Sequence, residues 1–516
     1  MTSLTSSFDP ASLAIIEKLH ELEQSLKQGF EQLHGGSALS QLATVAAIES
    51  PNHALLQHEG LFDTKNESSS RMSVEGILTW GPFEEIHPNL NLTHLLSAQD
   101  EPDAVQPPTA SFDGGDEQEL LQRFIDHVLT FNPIIDEEVI RQYLRDVQYT
   151  GMRWDAQSCV LLLIYAHGAL TYASDFQNQP ESIDFRRTRQ FIRSQSYFQA
   201  AQARMSHMLC TSGVLEAQCF FLSGVYLMTT MRPLAAWRMF VQALTCCQVL
   251  LSGADVAGKI DQRQLGLQQS LYWTCFKSEL ELRLELNITK NPVFDLSYPD
   301  FYPSPPRALH ANKEVVWYYY LAEIALRRLG NRVLNTFHKN KPIVTSSVAV
   351  SMVQNFENQA ANWLSSLPAA LRPESTNAPD GDTRLETVLR YILNGHLIDC
   401  YEMMYHHFLA HFFEEDTPST SPAIEGYASK ALQICVQRIQ SDSFGFHRRH
   451  HGTWLMLRSC TRSSLVLLAA SRNPHLHGLL PQAWKDSIDR VKGLLRFWQL
   501  ESQDAANRLS IMEHMT

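Results

Sequence analysis

Apolar residues recur at three- and four-residue spacings along most of the chain, the period of helices that each bury one face. Leu120, Leu121, Phe124, Ile125 and Val128 make one such face, closed by Asn132-Pro133. Asp136 stands where a helix cap is needed, ahead of Val139, Ile140, Tyr143 and Val147, and Asp155 does the same for Val160, Leu161 and Ile164. The same period predicts helices over residues 196–210, 214–229, 233–251, 317–333, 348–367, 385–412, 426–440, 453–470 and 481–502. Short turns between consecutive helices favour antiparallel neighbours, and strand-type alternation is nearly absent. The expected fold is all-α: stacked antiparallel helical hairpins in one large body over residues 119–516, preceded by a short coiled-coil-like helix and an acidic linker.

The first helix is expected from the cap-and-proline pair Asp9-Pro10 to Gly35-Gly36, so residues 1–36 form one segment. Leu19, Leu26 and Leu33 share one heptad position and Ile15 and Leu22 another, with Phe30 in the same stripe and Gly29 interrupting it. This stripe serves equally as a dimer seam or as a face packed on the chain's own body. Over residues 37–118 the period fades amid Pro102, Pro107, Pro108 and Gly114-Gly115, which predicts a largely mobile linker. Apolar residues interleaved with acids, as in Ile77-Leu-Thr-Trp80-Gly-Pro-Phe83-Glu-Glu85, suit a solvated linker with one docked turn at residues 77–83, or an acidic activation segment. A second break spans residues 298–306, where four prolines forbid helix, and a Pro/Ser/Thr loop follows at residues 417–422.

The chain has 516 residues, 44% hydrophobic and 19% charged, a globular makeup that excludes disorder throughout and fibrous repeats. Its net charge of −13 argues against wrapping nucleic acid by charge alone. Residues 59–119 hold 13 acidic residues against only Lys65 and Arg71, so the rest is near neutral. No signal-peptide pattern opens the sequence and no apolar run approaches the roughly 20 residues of a membrane span, so a soluble, intracellular protein without membrane contact is expected. The nine cysteines lack chelating spacing and sit mostly in apolar helical stretches, which predicts packing thiols and no metal site.

Candidate chemistry is sparse. His407 and His411 have the four-residue spacing of shared metal ligands, but Phe408 stands where a zinc protease needs Glu, and histidines rimming an apolar helix are the plainer reading. His447-Arg-Arg-His-His451 could hold an anion or cap a helix entrance. Arg186-Arg-Thr-Arg-Gln-Phe-Ile-Arg193 reads as a solvated helix face, and Glu279 with Arg283 as a structural pair. No phosphate loop or nucleophile elbow occurs, so no catalytic, metal-binding or DNA-binding residue is assigned and a non-enzyme is expected.

Six stretches together carry a resemblance: Phe131-Asn-Pro-Ile-Ile-Asp136, Gly151-Met-Arg-Trp-Asp155, Tyr197-Phe-Gln-Ala-Ala201, Phe221-Leu-Ser-Gly-Val-Tyr-Leu-Met228, Tyr272-Trp-Thr-Cys-Phe-Lys-Ser-Glu279 and His450-His-Gly-Thr-Trp-Leu-Met-Leu-Arg-Ser-Cys-Thr-Arg462. Over residues 73–509 the chain resembles the regulatory middle homology region of fungal binuclear zinc-cluster transcription factors. The resemblance implies an all-helical region controlling a DNA-binding module, action in the nucleus, and homo- or heterodimers that engage the transcription machinery or an inhibitory partner. The six-cysteine module that in this family precedes the dimerisation helix is absent from this chain. No cofactor is therefore expected here, and two zinc ions only if a cysteine cluster lies upstream. The leading expectation is a transcription regulator, or a truncated one, without DNA contact of its own; the alternative is a helical scaffold or binding protein with no role in transcription.

With that resemblance, Trp273, Phe276, Trp317, Tyr320 and Trp454 become candidate walls of an effector pocket, and Arg448, Arg449, Arg458 and Arg462 candidate anion hooks. The pocket is expected between residues 273–320 and 448–462, for a small-molecule effector or an inhibitory contact. For any one of these residues, core packing or a salt-bridged rim is the competing reading.

Overall fold

The computed structural model describes residues 73–86, 115–170, 185–257, 262–286, 299, 301–303, 311–340, 347–373, 385–414 and 421–516. Among these residues there are fifteen α-helices and no strand, so the expected all-α class holds. None of the described helices is long and apolar enough to cross a membrane. The heptad stripe of residues 15–33 and most of the linker lie outside the described residues. The chain divides into two compact units.

The second unit comprises Thr64–Pro292, Phe408–Pro418 and Glu425–Thr516. It opens with the short helix α1 (Val74–Ile77) and a 3-10 turn (Gly81–Ile86), followed by α2 (Glu117–His127), α3 (Glu137–Thr150) and α4 (Ala156–Leu170). Next come α5 (Arg189–Met205), α6 (Val214–Thr229), α7 (Pro233–Ala257) and α8 (Gln262–Glu285). Every residue of α4 from Ser158 onward is buried, as is every residue of α6 from Ala217 to Met228. Helices apolar on all sides belong at the centre, and α4 packs on α2, α5 and α6 while α6 packs on α7. The one-sided helix α3 buries only Ile140 and Leu144.

Local signals are used as read. Asp136 accepts from the Glu138 backbone N–H at 3.0 Å and Asp155 from that of Ser158 at 2.8 Å. Gly168 on α4 lies so close to α2 that a Cβ there would come within 2.3 Å of the Leu120 carbonyl oxygen. The turn between α6 and α7 puts Met231 at φ 59°, a left-handed position usually left to glycine. In the basic stretch at residues 186–193, Arg187 and Arg189 are exposed as expected of a solvated face, while its ends are tied into the fold. Thr188 caps α5, and Arg193 holds both oxygens of Asp116 at 2.6 and 2.7 Å.

The first unit comprises Met1–Asp63, Val293–His407 and Ser419–Ile424. It contains α9 (Ala311–Asn340), α10 (Ser347–Ser366) and the part of α11 (Leu385–Glu414) up to His407. Trp363 Nε1 on α10 donates to the Ala322 carbonyl of α9 at 3.2 Å, and the Tyr405 hydroxyl donates to Glu357 at 2.6 Å. In the proline-rich break, Pro299 and residues 301–303 are non-helical, and Arg328 donates to the Pro299 carbonyl while covering the Tyr302 ring.

The second unit is completed by α12 (Pro422–Asp442) from Glu425 onward, α13 (Thr453–Arg472), α14 (Trp484–Trp498) and α15 (Gln503–Met515). The pattern predicted one element over residues 481–502; the structure stops α14 at Trp498 and starts α15 behind Ser502, whose hydroxyl caps the Ala505 N–H.

Candidate functional site

Among the described residues of the second unit, a dense polar constellation is built around α13. Arg458 and Arg462 are one helical turn apart on a helix buried along almost its whole length, between Leu457, Ser459, Cys460, Thr461 and Ser463. A guanidinium in such surroundings needs carboxylates, and three other helices supply the partners. Glu285 ends α8 and accepts from Arg458 Nε at 2.5 Å and from Arg462 Nη1 at 3.4 Å. Glu75 on α1 takes both Arg458 Nη atoms, at 3.1 and 2.6 Å. Asp504 on α15 accepts from Arg458 Nη1 at 3.3 Å, and Arg508, one turn further, donates to Glu75 at 2.6 Å.

Three arginines thus face three carboxylates and the formal charge cancels. Only 2% of the Arg458 side chain is exposed. Burial by itself would lower its basicity, but Glu285, Asp504 and Glu75 outweigh it and hold the guanidinium well above its ordinary range. The Trp454 ring lies 5.3 Å from the Arg458 guanidinium carbon, within cation–π distance. Val74, Trp454, Leu457, Arg458, Asp504 and Arg508 border a seam of about 220 Å3 empty volume, in which no water-sized sphere fits.

A second ion pair lies before α13. Arg449, with 8% of its side chain exposed, donates through Nη2 to both Glu501 oxygens at 2.6 and 2.7 Å, and through Nη1 to the Thr229 carbonyl at 3.1 Å. Its guanidinium lies over Phe185 at 3.7 Å; burial pushes its basicity down, with Glu501 opposing. Arg448 instead covers Phe444 at 3.9 Å. The expected helix entrance at residues 447–451 is a turn in which the Thr453 hydroxyl accepts from the His450 N–H at 2.9 Å. Burial, with His451 and Arg448 nearby, lowers the His450 pKa to about 3.

The arginines proposed as anion hooks are therefore engaged by the protein itself: Arg449, Arg458 and Arg462 by carboxylates and Arg448 by an aromatic ring. Trp273, Phe276 and Trp454 are buried in the second unit, Trp317 and Tyr320 in the first. Within the second unit, the packed seam stands beside Trp454, Arg458 and Arg508. The Glu279–Arg283 pair is present at 3.1 Å and buried, with Trp237 Nε1 donating to Glu279; burial raises the Glu279 pKa. His407 stacks on Phe337 at 4.6 Å, in the first unit, while His411 belongs to the second. Eight cysteines are buried and Cys210 is exposed, so that thiol departs from the packing role expected of the set.

Sequence reasoning assigned no role to Glu75, Glu285, Asp504 or Arg508. The available signal was the competing reading of Arg458 and Arg462 as part of a salt-bridged rim, which called for carboxylates without naming them. No protein-family model, no curated protein and no solved structure matches the chain.

Proposed function

We propose that this chain is the regulatory part of a transcription regulator, a non-catalytic helical body that binds a partner or effector and controls transcription in the nucleus. The reading rests on the six stretches that resemble the zinc-cluster regulatory region. The supporting observation is that all six lie in the second unit and several touch directly. Phe198 stacks on Tyr226 at 4.0 Å, Gln218 beside the fourth stretch donates to the Ile134 carbonyl at 2.6 Å, and α13 packs on α6. Dimerisation through Ile15, Leu19, Leu22, Leu26 and Leu33 belongs to the same proposal.

Fusing the full chain to a heterologous DNA-binding module over a reporter tests it. A severalfold change in reporter output, up or down, relative to the module alone is expected. Output equal to that of the module, from a fusion that is expressed and nuclear, removes the transcriptional role and favours a scaffold.

A further inference from the structure

Residues 73–83 hold their shape without being able to make it alone. Helix α1 has four residues, far below the roughly 12–15 at which isolated helices become even marginal. Its backbone hydrogen bonds close within the segment: Ile77 N–H on Ser73, Leu78 on Val74, Trp80 on Ile77 and Phe83 on Trp80. The attachments are made by side chains. Val74, Ile77, Leu78, Trp80 and Phe83 are each at most 4% exposed, and α13 packs against both α1 and the 3-10 turn. Trp80 stacks flat on Phe413 with centroids 4.3 Å apart. Between these apolar anchors Glu75 presents one oxygen to Arg458 and Arg508 and the other to Arg458. Thr79, Gly81, Glu84 and Glu85 face outward.

This is how a groove reads an amphipathic peptide: apolar sockets at helical spacing plus a two-arginine clamp for one carboxylate. Recognition that uses only side chains does not depend on covalent continuity with the body. We infer that the α13 face under residues 73–83 is a peptide-binding groove for acidic–aromatic segments, with the chain's own segment as its resident ligand. Its partner in trans is a protein segment carrying a carboxylate for Arg458 and Arg508 and, five positions on, an aromatic ring for Phe413. The spacing is that of Glu75 and Trp80 themselves. The charge match excludes basic segments, which would face two arginines once Glu75 left. The groove stands apart from the transcriptional reading and serves a scaffold equally, so a silent reporter leaves it intact.

The experiment uses a fluorescent peptide of residues 73–86 and a variant of the full chain in which residues 73–86 are replaced by a Gly/Ser linker of the same length, which removes every anchor of the resident segment. The peptide is expected to bind this variant saturably and at least tenfold tighter than the wild-type chain, and to raise its melting temperature. A peptide with Glu75→Lys is expected to bind at least tenfold more weakly. Equal binding of both peptides, equal binding to both chains, or no binding to a folded variant overturns the groove. Should the variant not fold, a protease site inserted between Asp100 and Glu101 of the otherwise wild-type chain keeps the test open. After cleavage, excess labelled peptide should exchange into the body and release the N-terminal piece; an intact body that takes up no label within a day overturns the proposal.

Discussion

Glu75 and Arg458 lie 383 positions apart in sequence and meet through two hydrogen bonds of 3.1 and 2.6 Å. One is carried by a four-residue helix and the other by the buried helix α13. The pair ties the segment just after the acidic stretch begins to the C-terminal helices, and its strength depends on Glu285, Asp504 and Arg508 completing the charge balance.

Arg458→Met should remove the group that bonds all three carboxylates and leave the cluster with one net negative charge in a buried site. A loss of about 3–5 kcal/mol is expected, read by urea denaturation. Arg458→Lys should recover only part of it, because an ammonium cannot make the two parallel bonds to Glu75. A Met variant within about 0.5 kcal/mol of wild type would show the cluster to be dispensable.

Gly168→Ala should cost about 1–3 kcal/mol by overpacking, since the new methyl would meet the Leu120 backbone, which has little room to yield. Gly493, inside α14, is the contrast, because a methyl added there would have nothing within 4 Å. Gly493→Ala should stabilise by about 0.5–1 kcal/mol through helix propensity. Paired thermal melts separate the two effects.

His167 is 1% exposed, its Nε2 lying 2.9 Å from the Leu222 carbonyl, and burial lowers its pKa to about 4; His450 is lowered to about 3. In the unfolded chain both titrate near 6.5, so between 6.5 and these values the unfolded state binds more protons. Their contribution to stability is whole above pH 6.5 and is lost as pH falls towards 4 and then 3. Acid titration of the unfolding free energy should show a loss on the order of 3 kcal/mol from His167, and His167→Gln should flatten the profile over that window. An unchanged slope would mean that His167 is not buried neutral.

Native chain treated with iodoacetamide at pH 7.5 should take up one equivalent quickly, at Cys210. The other eight thiols are buried, and burial pushes Cys246 up to about 11 and Cys219 and Cys275 well above their ordinary value. Mass spectrometry finding two or more rapid labels would place further thiols at the surface.

Leu19→Lys with Leu26→Lys should convert any dimer to monomer, since two charges in an apolar seam cost a few kcal/mol. Light scattering that still reports a dimer would put the interface on the helical body.

The sequence by itself carried what short-range physics writes into it. The apolar period placed α4 and α6, Asp136 and Asp155 marked the starts of α3 and α4, and the mixture at residues 77–83 already read as a docked turn. Periodicity, capping and proline chemistry act within a few residues, so they survive without knowledge of the rest of the chain. The site was legible only in half: Arg458 and Arg462 were singled out, but as anion hooks, with a salt-bridged rim as the competing reading. That Glu75, Glu285, Asp504 and Arg508 complete them was decided by tertiary packing. Carboxylates occur throughout this acidic chain, and none is marked by spacing as a partner. Helix α15, weakly amphipathic and begun by a single Ser502 cap, was hidden for a related reason: its order comes from packing on α13 and α14. Which charges are buried together depends on how helices far apart in sequence are laid side by side, and only the folded chain contains that information.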